Sequence, residues 1–319
     1  MVMSITPHDR LPDPEDFYDL RNVVASLRDR RLQSLAARQR EQSPPRLPSK
    51  QRLQEVVEAL ATALFPNRLG SGEVSREAID YYVGQSLSQA LRLLCEQISR
   101  ELQFHRQESE NSPGSDPDRD ARELCRRFTR SLPDIRTLLD RDLQAAYEGD
   151  PAAQSADEIL VCYPGMAAVI YHRLAHELYR LGLRLTARVI AEISHSATGI
   201  DIHPGAQIGE GFFIDHGTGV VIGETTIIGR NVRLYQAVTL GAKRFLTDEK
   251  GGLIKGNARH PILEDEVVVY AGATILGRIT IGQGSTIGGN VWLTRSIPPH
   301  SHITQAAPRQ DLFDLGGGI

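Results

Sequence analysis

The sequence predicts an α + β protein in which an α-helical N-terminal domain is followed by a parallel β-helix. Three observations carry this. Up to about residue 198, apolar residues recur at intervals of three and four, with turn-forming breaks between the runs. From residue 200 the apolar period becomes six, which suits neither an α-helix nor an alternating strand. Many of these repeats also put glycine directly after the aliphatic residue, where a coil corner needs a small side chain.

In the helical part, EDFYDLRNVVASLRDRRLQSLAARQRE gives a first helix over about 14–41, ended by SPPRLPS. Ser75 begins another, continued by YYVGQSLSQALRLLCEQISREL, and the polar QESENSPGSDPDRD (107–120) reads as an exposed loop. Ser155-Ala-Asp-Glu158 has the form of a capping box. Two further helices are predicted near 165–181, ended before Gly182, and near 185–196. The first sixty or so residues carry no functional signal.

The six-residue rhythm runs through Ile202, Ile208, Ile214 and Val220. After a step of two it resumes at Ile222, Ile228, Leu234 and Leu240. Beyond a loop, Leu263, Val269, Ile275, Ile281, Ile287 and Leu293 keep it without a slip. These side chains should point into the coil. Glycine follows in Ile208-Gly209, Ile222-Gly223, Ile228-Gly229, Ile281-Gly282 and Ile287-Gly288. The predicted domains are 1–198, helical, for assembly and part of the substrate site; 199–300, the β-helix with a loop at 242–258; and a tail, 301–319.

At 319 residues the chain can hold two cores. A net charge of −4 and 6% aromatic residues argue against a nucleic-acid-binding face. No apolar run is long enough to span a membrane, and the N-terminus lacks a signal-peptide core, so a cytoplasmic protein is expected. Cys95, Cys125 and Cys162 have no metal-type spacing and read as buried reduced thiols.

Four polar residues interrupt the small, neutral corners: Asp201 and His203 in GIDIHPGA, Asp215 and His216 in FFIDHGTG. Asp201 precedes His216 by fifteen residues, and a coil of three hexapeptides is eighteen, so the pair should meet on adjacent coils. A carboxylate on one ring nitrogen would leave the other as a proton acceptor. A histidine merely hydrogen-bonded within the coil fits the spacing equally well.

The stretches GIDIHPGAQIGEGFFIDHGTGVVIGETTIIG, YQAVTLGA, ARHPILEDEVVVYAGATILG and the Pro-Pro-His near 300 resemble serine acetyltransferases of the hexapeptide-repeat superfamily, over about 145–305. The resemblance implies a left-handed β-helix that forms trimers, or dimers of trimers, and acetyl transfer from acetyl-CoA to L-serine. By position it makes His216 the general base, supported by Asp201. It puts Asp150, Asp215, Arg259 and His260 at the serine, and Gly241, Ala242, Ala271 and Gly289 along the CoA arm. It also implies feedback inhibition by L-cysteine, and docking of the terminal Ile319 into O-acetylserine sulfhydrylase. In the long loop, Lys243, Arg244, Lys250 and Lys255 either cover CoA phosphates or are solvated. A zinc site of His195, His203 and His216, as in γ-class carbonic anhydrase, leaves Asp215 and ARHP without a role, so no metal is expected. An acetyltransferase for another acceptor should not need Asp150, Arg259 and His260 together, and a non-catalytic scaffold would not need His216.

Overall fold

The computed structural model describes residues 18–37, 46–70, 72, 74–108, 116–244, 247–249 and 251–306. They divide into one unit within residues 1–46 and another within 47–319. In the first, α1 (Leu20–Ala37) leaves Leu20, Val23, Val24, Leu27 and Leu32 exposed. The helix predicted over 14–41 is described only across this central part.

The second unit opens with α2 (Lys50–Leu64), whose first turn is capped by Ser49 Oγ accepting from the Arg52 N–H at 3.4 Å. Leu53, Val56, Val57, Leu60 and Leu64 form its buried face, at the spacing of a helix stripe. Two long helices follow, α3 (Ile79–Glu108) and α4 (Pro117–Gly149). Asp116 caps α4 and Pro117 fits its first turn, so the helices take up both ends of the loop predicted at 107–120. Short α5 (Ala156–Cys162) starts on the expected serine cap, with Ser155 Oγ accepting from the Glu158 N–H at 3.1 Å. The Glu158 carboxylate, however, reaches back to the Gln154 N–H, one residue beyond the capping-box position.

Helices α6 (Pro164–Arg180) and α7 (Arg184–Thr198) lead into the β-helix, and Gly199, in the left-handed conformation, ends α7. The free N–H groups of Leu185 and Thr186 at the start of α7 donate to the buried Glu101 carboxylate of α3, both at 2.8 Å. All three cysteines are free; Cys125 is buried and Cys95 half-buried, but Cys162 is exposed, because it ends α5 at the surface.

Among the described residues fourteen short strands stack into three parallel sheets, the faces of a prism: β1 (Asp201–Ile202), β2 (Gln207–Ile208), β3 (Phe213–Ile214), β4 (Val221–Ile222), β5 (Ile227–Ile228), β6 (Arg233–Leu234), β7 (Thr239–Gly241), β8 (Ile262–Leu263), β9 (Val268–Val269), β10 (Thr274–Leu276), β11 (Thr280–Ile281), β12 (Thr286–Ile287), β13 (Trp292–Leu293) and β14 (His302–Ile303). The first face is β1-β4-β7-β10-β13, the second β2-β5-β8-β11, and the third β3-β6-β9-β12-β14. Twelve of the fourteen aliphatic repeat positions are buried; Ile208 and Leu293, near the two ends, are half-buried. Each buried aliphatic side chain contributes about 1.5–3 kcal/mol, which lets strands of two residues hold together.

The coils are unequal. Asp201 pairs with Val221 twenty residues on, whereas Val221 pairs with Thr239 after eighteen. The two extra residues fall between β3 (Phe213–Ile214) and β4 (Val221–Ile222), giving an enlarged corner at 215–220. A second interruption, the 242–258 loop, lies between β7 (Thr239–Gly241) and β8 (Ile262–Leu263).

A buried ion pair ties the helices to the first coil. Arg173 of α6 donates to both oxygens of Asp142 of α4, at 3.0 and 2.9 Å, and also to the carbonyl of Gly209 at 2.6 Å. Asp142 accepts in turn from the Phe212 N–H at 2.9 Å. Every polar end of the pair is thereby matched.

Candidate active site

His216 lies on the enlarged corner. Its backbone has a positive φ of 58°, Gly217 and Gly219 following at 87° and 79°, and its side chain is 70% exposed. Gly217 cannot be replaced without movement, since a Cβ there would stand 2.4 Å from Ile200 Cδ1. The corner therefore projects the imidazole outward from a chain that is pinned on both sides.

Beside it, Asp215 is buried and its Oδ1 lies 3.5 Å from His216 Nδ1. The expected Asp201–His216 contact is not made within the chain. Asp201 is the first residue of β1, in register with Val221, and the twenty-residue coil carries it five positions away from His216 rather than three. Its carboxylate instead gathers with Glu192 and His195, one donor atom of each lying within 4.8 Å of the others.

Asp150 caps the C-terminus of α4 and reaches the same corner, close enough for His216 and Arg233 to favour its charged form. Gly149 allows this approach: a Cβ there would already lie 3.1 Å from the Phe213 ring. The Tyr163 hydroxyl donates to Asp150 Oδ2 at 2.6 Å and the Ala152 N–H to Oδ1 at 2.8 Å. The tyrosine bond foremost holds this carboxyl below its ordinary range, and the Tyr163 phenol is pushed up to about 12 by the same bond.

Arg259 and His260 occupy a different corner of the prism, where the long loop returns to β8. The Arg259 guanidinium donates to Glu224 at 2.7 Å, and Glu224 also accepts from Tyr179 at 3.1 Å. Thr225 Oγ1 accepts from the N–H groups of both Arg259 and His260. The Thr225 N–H donates to His260 Nδ1 at 3.1 Å, so a neutral ring carries its proton on Nε2. Burial, followed by the charge of Arg259, pushes His260 down to about 4. His203 joins this corner edge-on to Tyr179 and is likewise lowered to about 4 by burial.

The expected residues thus fall into two groups within one chain. Asp150, Asp215 and His216 come together; Arg259 and His260 do not join them. The CoA positions divide similarly. Ala271 and Gly289 share the His216 edge on later coils, and Gly241 and Ala242 lie at the corner of Arg259, next to exposed Lys243 and Arg244. Lys250 and Ile319 lie outside the described residues. His195, His203 and His216 stand in three separate settings. Two residues were missed by sequence reasoning. They are Tyr163, directly before Pro164, and Arg233, on a repeat strand; neither lies in a motif that signals a role.

No family model matches the chain. A plasmid-encoded serine acetyltransferase of Synechococcus elongatus is 53% identical over 320 aligned positions, covering 99% of this chain and all of that protein. The serine acetyltransferase of Mycobacterium tuberculosis is 48% identical over 174 positions, 54% of this chain and 72% of its own. Among solved structures, Entamoeba histolytica serine acetyltransferase 1 in complex with L-cysteine aligns with a TM-score of 0.68 at 36% identity, covering 79% of this chain and 86% of that one. Soybean serine acetyltransferase complexed with serine aligns at 0.51 and 31% identity, covering 77% and 93%. With a helical region, a left-handed β-helix and a relative matched end to end, the chain belongs to the serine acetyltransferase family.

Proposed function

We propose that this serine acetyltransferase uses His216 as the general base that activates its serine, with the two flanking carboxylates receiving the substrate ammonium. The reaction moves the acetyl group of acetyl-CoA to the serine hydroxyl, giving O-acetyl-L-serine and CoA. The observation that carries the reading is the enlarged corner itself: an exposed imidazole whose Nδ1 faces a buried carboxylate at 3.5 Å, with Asp150 alongside. His216 takes the hydroxyl proton as the serine oxygen attacks the thioester carbonyl. The carbon–sulfur bond then breaks, and the imidazolium returns its proton to the leaving thiolate. Holding both substrates in one cleft supplies further acceleration.

Asp150 and Asp215 suit the ammonium; Arg259 and His260, with a planar cation and an Nε2–H, suit the carboxylate. A single serine cannot touch both groups unless the two corners meet, and a trimer that sets one chain's His216 edge against the next chain's Arg259 corner achieves this. We assign CoA to the same groove. Adjacent strands rise about 4.8 Å per coil, so Ala271 and Gly289 lie roughly 10 and 14 Å along the edge from His216, a run suited to a pantetheine arm. Asp201 stays in this reading as the support of the imidazolium on the family pattern alone, since within one chain its carboxylate lies with Glu192 and His195.

Further parts of this reading are inhibition by L-cysteine at the serine site, pairing of two trimers through the helical region, and docking of Ile319 into O-acetylserine sulfhydrylase. The site of action in this reading is the cytoplasm; among the described residues no helix is long and apolar enough to cross a membrane. His216→Ala should lower turnover by about 10²–10⁴ with the fold intact. Assaying it with serine and several other hydroxyl and amino acceptors tests both base and acceptor; near-normal turnover would overturn the mechanism.

A further inference from the structure

Arg233 occupies an outward position of β6 (Arg233–Leu234), where a repeat side chain ordinarily faces water, yet it is only 23% exposed. Its guanidinium lies 4.9 Å from the centre of the Phe213 ring and 4.7 Å from that of Tyr235. Held against these two rings, it donates from Nη2 to Asp215 Oδ2 at 2.8 Å. The other oxygen of Asp215, 3.5 Å from His216 Nδ1, is the one turned to the imidazole. Phe213 and Arg233 are direct partners in the β3–β6 register, so this clamp stands on paired strands rather than on a loop.

The charged and titratable groups around His216 come from several elements, with the Tyr235 phenol close to Arg233, Asp215 and Asp150. Asp215 is on its own corner, Asp150 at the end of α4, Arg233 on β6, and Tyr163, from the junction of α5 and α6, is bonded to Asp150. Of these groups Arg233 is the only cation. Two carboxylates and one guanidinium leave a single negative charge, which matches one substrate ammonium.

We propose that Arg233 is a positioning residue of the site: it fixes Asp215 so that Oδ1 faces His216, and it offsets one of the two carboxylate charges beside the imidazole. The inference rests on His216 being the base. A base must be neutral to accept a proton, so removing the cation should move the acidic limb of the pH–rate profile to higher pH. The pocket would become more negative at the same time, so the KM for serine should not rise. A purely structural arginine predicts neither effect.

The test is the pH dependence of kcat/KM for Arg233→Met, which keeps an aliphatic stem between the rings, Arg233→Lys, which keeps the charge, and His216→Ala. The expected outcome for R233M is an acidic limb about one pH unit higher, roughly tenfold lower activity on that limb and recovery at alkaline pH. R233K should keep the limb near that of the unaltered protein. An R233M limb that does not move, an equal loss at every pH, or an equal shift in R233K would overturn the inference. Should R233M not fold, Arg233→Gln carries the same comparison. An active H216A would remove the base assignment itself; an inactive H216A with an unshifted R233M limb would remove only the role of Arg233.

Discussion

The Tyr163 hydroxyl donates a 2.6 Å hydrogen bond to Asp150, linking the residue before α6 to the residue that ends α4. This bond fixes the carboxylate toward His216 and keeps it ionised. Tyr163→Phe should therefore raise the KM for serine about tenfold, within the range for a lost hydrogen bond to a charged group, with kcat little changed. Steady-state kinetics at saturating acetyl-CoA decides this. A fall in kcat at unchanged KM would mean that Tyr163 serves the chemical step and not serine binding.

The β-helix was legible because a single rule repeats. Ile222, Leu240 and Ile275 stack on one face, each buried by the same inward position. The two-residue step after Val220 was visible as well, but its consequence was not: reckoning eighteen residues per coil set Asp201 three positions from His216 along the edge, where the twenty-residue coil sets it five away. Arg233 and Tyr163 were not legible at all. Their roles come from rings and carboxylates brought in by other elements, and no spacing along the chain encodes such a meeting. The helix caps were read correctly at Ser155, where the rule is local, while Glu101 capping α7 from eighty-odd residues away had no local sign.

Asp142 and Arg173 form the buried joint between helices and β-helix, with side chains 0% and 5% exposed. Desolvation pushes the Asp142 carboxyl upward, yet Arg173 and the Phe212 N–H hold it in an ionic pair. Asp142→Asn leaves a guanidinium buried without its counter-charge, which typically costs about 3–5 kcal/mol. Urea unfolding should show a midpoint shifted accordingly. A shift below about 1 kcal/mol would show that the joint is solvated or relaxes freely.

Acid should destabilise the fold. His203 and His260 are pushed from an ordinary 6.5 down to about 4, chiefly by burial, and buried His172 is held well below its ordinary value by the same cause. As pH falls through about 6.5, the unfolded chain takes up protons on these rings, and the folded chain does so only near 4. Stability is thus complete above about 6.5 and is lost progressively toward 4. Melting temperatures measured across that window should fall, and His260→Asn should flatten the decline. A temperature that stays constant through the window would show that these rings are hydrated in solution.

The proposed trimer, with its serine site divided between the corners of two chains, makes a quantitative prediction about mixed assemblies. A chain carrying His216→Ala keeps its Arg259 corner, and a chain carrying Arg259→Ala keeps its His216 edge. Each should be nearly inactive alone. In a cyclic trimer built from both, there is always one boundary at which an intact His216 edge faces an intact Arg259 corner, giving one working site of three. Random mixing at equal amounts makes about three-quarters of the trimers mixed, so about a quarter of the unaltered activity should return. Were each site contained in one chain, every site would carry a lesion and mixing would restore nothing. Co-expressing the two variants with different tags, purifying through both, and assaying acetyl transfer distinguishes the outcomes. Selection through both tags removes the unmixed trimers, so recovery should rise from about a quarter to about a third of the unaltered activity.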